Sequence, residues 1–165
     1  MTPNDTPQSF DERSILLQML HYSQETALGK VRGLSEELAR KAPLPTSPNM
    51  SPANILNHLR WVESSWINEA LFGGESASPT TGDHRDSSFD EGSVLALDEV
   101  IRLYEEQARA SLAVFAEVDL DMQILGTHRR GALTARWILQ HLIEETARHN
   151  GHLDILREMA DGSVG

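Results

Sequence analysis

In four separate stretches of this chain, apolar residues return at every third or fourth position, and no stretch sustains a strict alternation of apolar and polar residues. That spacing lines one face of a helix, whereas a half-buried strand needs a period of two. The first stretch runs from about Phe10 to Arg40, with Leu16, Leu20, Ala27, Val31, Leu34 and Leu38 on its stripe and Gly29 and Gly33 as points where it can bend. The breaker Ala42-Pro-Leu-Pro-Thr-Ser-Pro48 ends it. The second begins at Ser51-Pro52, a capping residue followed by proline at the first helical position, carries Ile55, Leu59, Val62, Trp66 and Ala70, and stops at Gly73-Gly74. A polar segment, Glu75 to Ser88, reads as a long loop. The third stretch spans about Asp90 to Glu117 through Leu97, Ile101, Tyr104, Ala108, Leu112 and Phe115. After a connection from Val118 to Gly131, the fourth spans about Leu133 to Ala160 through Ile138, Leu142, Leu153 and Leu156. Each helix must bury one stripe, and joining the four predicts an all-α four-helix bundle.

A length of 165 residues is enough for one domain and short for two. The expectation is a single domain over 1–165, with 1–9 as a flexible N-terminal segment. Fourteen basic against twenty-five acidic residues give a net charge of −11, which argues against nucleic acid and anionic membranes as partners, since both need clustered Lys and Arg. The absence of cysteine removes disulfides, thiolate-bound metals and a cysteine nucleophile. The start, MTPNDTPQSFDERS, has no basic segment leading into an apolar one, and a cytoplasmic location is expected.

The fourth helix carries His141, Glu145, His149 and His152. At 100° per residue, and with His141 at zero, the other three fall near about 40°, 80° and 20°, an arc of about 80° on one face. Solubility does not explain three imidazoles within twelve residues, whereas neutral imidazole is a common metal ligand. Glu145 and His149 have chelating spacing, as do His149 and His152. His141 stands about 12 Å from His149 along the axis, too far to share an ion, and is expected to line the pocket or meet a carboxylate. Bundle sites draw further ligands from facing helices, and His58, beside the stripe of the second helix, is placed to supply one. A site of His and carboxylate suits zinc, nickel or iron. A lone inward histidine such as His58 can equally be a satisfied core residue. His21, His84 and His128 are read as ordinary helix or loop residues, Trp61, Trp66, Trp137 and Tyr104 as core, and the run Asp83 to Glu91 as solvated loop.

Three stretches carry a resemblance: Ser51-Pro-Ala-Asn-Ile-Leu-Asn-His58-Leu-Arg-Trp-Val-Glu63-Ser-Ser-Trp66, Ser93 to Ala116, and Ala135 to Glu158 with its His141, Glu145, Arg148, His149, Gly151 and His152. The chain resembles the DinB-like (DinB/YfiT) superfamily, and within it the actinobacterial branch of mycothiol-dependent enzymes. The resemblance implies an up-down-down-up bundle, often a homodimer, with a divalent metal held by three histidines. His58 matches the first of these and His149 the last; Glu145 stands where the family has its remaining histidine, and His152 replaces a glutamine. The set can therefore be His58, Glu145 and His149, can recruit His152, or can bind metal weakly.

The resemblance also implies a low-molecular-weight thiol as cosubstrate and small-molecule electrophiles as partners, with zinc first among the metals and nickel or iron as alternatives. With no cysteine in the chain, the sulfur must be borrowed. Arg136 and Arg148 are candidates for anchoring the polar parts of such ligands, or for surface ion pairs. The expected activity is S-transfer, or isomerisation, and the competing reading is a non-catalytic bundle that binds metal or a small ligand at a degenerate site.

Overall fold

A computed structural model describes residues 4–7, 9–75, 87–128 and 130–164. The chain is all-α: its elements are α1 (Glu12–Val31), α2 (Glu36–Arg40), α3 (Pro52–Ser64), a π-helical continuation of α3 (Ser65–Leu71), α4 (Ser87–Val94), α5 (Leu97–Glu117) and α6 (Ala135–Asp161). Among the described residues the only strand-like feature is an isolated antiparallel bridge between Gln123 and Thr134. No described helix is long and apolar enough to cross a membrane.

Local chemistry sets most boundaries. Asp11 caps α1 by accepting a bond from Ser14 N; Ser51, as the sequence predicts, caps α3 at Asn54 N with Pro52 following. Thr134 caps α6 by accepting from Trp137 N, and Gly162, at φ +79°, ends it in the left-handed conformation. Two expected helices are divided instead. The first stops at Val31, because Gly33 at φ +81° turns the chain out of the helix and Ser35 then caps the separate short α2. Between Val94 and Leu97 the third breaks as well, giving α4 and α5; the Glu36 carboxylate caps the new start by accepting from Leu97 N at 2.7 Å. Ser87 and Ser88, expected in a loop, lie in α4, and so does the rest of 87–91, part of the run Asp83 to Glu91 read as solvated loop, because Glu91 is bonded to α3; most of the loop and His84 fall outside the described residues.

α1 packs on α5 and α6, and α3 packs on α4, α5 and α6. Their buried side chains form two apolar clusters. One joins Leu28, Val31, Ile55, Leu56, Leu59, Tyr104 and Leu153; the other joins Leu20, Leu71, Phe115, Ile138, Leu139 and Leu142. Along each long helix a buried polar residue falls between its members of the two clusters: Gln24 on α1, Glu63 on α3, Ser111 on α5, and Thr146 and Asn150 on α6. Gln24 Nε2 donates to both Glu63 carboxylate oxygens at 3.1 and 2.9 Å, and the Tyr104 hydroxyl donates to one of them at 3.3 Å. Asn150 Nδ2 donates to Ser23 O at 3.0 Å. A layer of hydrogen-bonded polar groups thus crosses the middle of the core.

Candidate metal centre

α6 is continuous from its Thr134 cap to Asp161, so its i, i+4 register places Glu145 and His149 one turn apart on the face that meets α3. α3 supplies His58 from a helix buried along most of its length. The side chains converge: Glu145 Oε1 lies 3.2 Å from His149 Nε2 and 3.6 Å from His58 Nε2. One ligand atom from each of the three residues lies within 4.8 Å of the other two. The three side chains are 18%, 13% and 12% exposed for His58, Glu145 and His149, so the cluster is largely withdrawn from water yet still open on one side.

Electrostatics suit a cation. Burial pushes the His58 imidazole down, further than the Glu145 hydrogen bond pushes it up, and His58 is neutral at neutral pH with a lone pair to give. His149 and then His58 beside it hold the Glu145 carboxyl well below the usual carboxylate range. The donor set fits a divalent ion: bonds of about 2.0–2.2 Å to nitrogen and oxygen in a tetrahedron separate ligand atoms by about 3.3–3.6 Å. Of the spacings around Glu145 Oε1, the 3.6 Å to His58 falls at the upper end of that range and the 3.2 Å to His149 just below it.

The other predicted residues distribute around this core. His152 lies beside it, its Nδ1 3.4 Å from His149 Nδ1, and burial pushes its imidazole down too. Arg148 pairs with Glu145 and, at 3.4 Å, with Glu144. His141 Nδ1 meets Glu144 at 3.3 Å and stacks on Trp137 at 5.0 Å, so it sits beside a carboxylate and away from the three converging residues. Arg136 is not brought to the cluster. It lies nine residues earlier on α6, about 13 Å along the axis, and pairs with Glu12 and Asp121. His128 packs on Trp66 at 4.6 Å, and Trp66 and Trp137 form a half-buried aromatic group rather than deep core. Trp61 is half-buried as well, and only Tyr104 of the four large aromatics is fully enclosed.

Sequence reasoning missed two groups. Glu63 belongs to the ladder Ile55, Leu59, Glu63, Ile67, and that i, i+4 register was the available sign that a carboxyl would be buried. Phe89 stacks on the His58 ring at 4.2 Å and 10°, and with Ser47, Pro48, Met50, Ile55 and His149 it lines a cleft of about 290 Å³ beside the cluster. No periodic signal in the sequence announced that wall, because it comes from a short helix and a turn.

A family model described as mycothiol-S-transferase matches residues 15–162 of the chain. No curated protein matches it.

Proposed function

The chain belongs to the mycothiol-S-transferase family, and from that membership we propose that it transfers a low-molecular-weight thiol of the mycothiol type to a small electrophile, at a divalent-metal site held by His58, Glu145 and His149. The fold we assign it is a single DinB-like four-helix bundle over 1–165 with up-down-down-up topology. The observation that carries the reading is the convergence of two imidazoles and a carboxylate from α3 and α6 beside an open cleft.

In the reaction, the sulfur forms a bond to the electrophilic carbon, the leaving group departs with the electron pair of the bond that breaks, and the thiol proton passes to solvent. A divalent ion in the site supplies Lewis acidity that lowers the pKa of the thiol. The residues do the rest. His58, Glu145 and His149 would hold such an ion with three protein ligands and would leave room for an exogenous group. Arg148 braces the Glu145 carboxylate, so its oxygen stays aimed at the two imidazoles. His152 lies one helical turn beyond His149 and meets its Nδ1, the ring nitrogen on the side away from Glu145, so it helps to fix the orientation of that imidazole. Anchoring the polar or anionic parts of the thiol falls to Arg148, since Arg136 pairs with Glu12 and Asp121 at the other end of α6.

The experiment follows mycothiol conjugation to monobromobimane by zinc-loaded protein and by His149→Ala. The expected result is at least a tenfold loss in the variant. Equal rates would remove the support for thiol transfer and favour a bundle that binds metal or ligand without catalysis.

A further inference from the structure

Three features of α4 bear on the cleft. First, α4 is fastened to α3 through one carboxylate oxygen: Glu91 Oε2 accepts from Asn57 Nδ2 at 3.1 Å, from Trp61 Nε1 at 2.6 Å and from Arg60. Second, the two helices touch backbone to backbone at Gly92, where an added Cβ would stand 2.9 Å from Asn54 Cα. Ser93 Oγ adds a bond to Asn54 Oδ1 at 3.0 Å. Third, two residues before this fastening, Phe89 lies flat on the His58 imidazole and forms one wall of the cleft, which Pro48, Met50 and Ile55 continue. These four side chains make an apolar wall, and Thr46, Ser47, Asn49 and His149 supply the polar part of the lining.

An apolar wall next to a polar reactive floor sorts ligands. Burying a flat hydrophobic group against Phe89 and Met50 contributes about 25 cal/mol per Å² of apolar surface removed from water, whereas a small polar group gains nothing from the wall. Small sites are lined in this manner, mostly apolar with a few placed polar groups.

We propose that the cleft between Phe89 and Met50 is the electrophile subsite, that it selects flat apolar electrophiles, and that Phe89 is the specificity-determining residue held in place by Glu91. The proposal rests on the thiol-transfer reading, but the subsite exists as a binding site without it. Phe89 touches the electrophile; Glu91 acts through Phe89 and is a positioning residue.

The test has a binding arm and a kinetic arm. In the first, 1,3-dinitrobenzene, an aromatic probe with no leaving group, is titrated calorimetrically into the full chain with neither thiol nor metal added. The unmodified chain binds it, Phe89→Ala weakens binding at least tenfold, and Phe89→Leu weakens it less. Glu91→Ala reproduces the Phe89→Ala loss with an unchanged far-UV spectrum, and Glu91→Gln restores binding, because one amide oxygen can take all three donors. In the second arm, Phe89→Ala lowers the ratio of kcat/KM for 1-chloro-2,4-dinitrobenzene to that for iodoacetamide at least tenfold. Absent binding to the unmodified chain, or equal binding to Phe89→Ala, overturns the subsite. Conjugation absent with every electrophile while the binding arm holds would overturn the thiol-transfer reading alone.

Discussion

At the scale of single residues, two carboxyls are treated in opposite ways. Glu145 has two imidazoles and Arg148 beside it and stays anionic. Glu63 is fully buried with only neutral donors around it, and burial pushes its carboxyl up from 4.5 to about 7. Between those pH values the folded chain holds a proton that the unfolded chain has lost. Unfolding free energy therefore falls as pH rises from 4.5 to about 7, and levels off above it. Glu63→Gln removes the proton, so its stability curve is flatter, and its urea midpoint gains on the unmodified chain between pH 5 and pH 8; parallel curves would refute the burial argument. His141 gives a second residue-scale prediction. It meets Glu144 and packs on Trp137 and Trp66. His141→Ala should keep the metal, as read by mass spectrometry, and lose about 1 kcal/mol of stability with its stacking contact. The α6 cluster was legible because four polar groups share one arc of a helix; Glu63 was missed although its place in an apolar ladder signalled burial, and Phe89 gave no sign because it acts across space.

At the scale of elements, periodicity located every long helix; Gly33, read as a point where the first can bend, is where the chain leaves it, whereas the break between Val94 and Leu97 had no such sign. The apolar stripe continues from Val31 to Leu34 and Leu38 even though the backbone turns at Gly33, since both segments bury side chains in the same cluster. A stripe records what is buried, not whether the helix is continuous. The same holds at Leu95 and Ala96, where α4 gives way to α5 while both remain packed near α3. Gly33 has open space around the position of a Cβ, so Gly33→Ala tests backbone strain without a clash. A residue with a side chain costs about 1–2 kcal/mol in the left-handed region, and thermal unfolding should show that loss. No change would mean that the turn at Gly33 does not depend on glycine.

At the scale of the whole molecule, the site depends on packing between distant segments. His58 is 87 positions before Glu145 in the chain, and only the contact of α3 with α6 brings them together. Two apolar clusters supply that contact, and the polar layer between them ties Gln24, Glu63 and Tyr104 from three helices to one another. Metal binding and folding are linked as a result. Zinc at about a hundredfold excess over its Kd should stabilise the folded chain by about 2.7 kcal/mol, with little effect on a chain lacking His58 and His149. The net charge of −11 favours capture of cations in general, so specific binding must be distinguished from surface association by stoichiometry. The measurement that bears most directly on the metal centre is therefore metal content per chain after exhaustive dialysis, for the unmodified protein, His58→Ala and His149→Ala. One divalent ion per chain in the unmodified protein, and less than a tenth of that in either variant, is the predicted result; an ion retained in full by both variants would contradict a centre shared between α3 and α6.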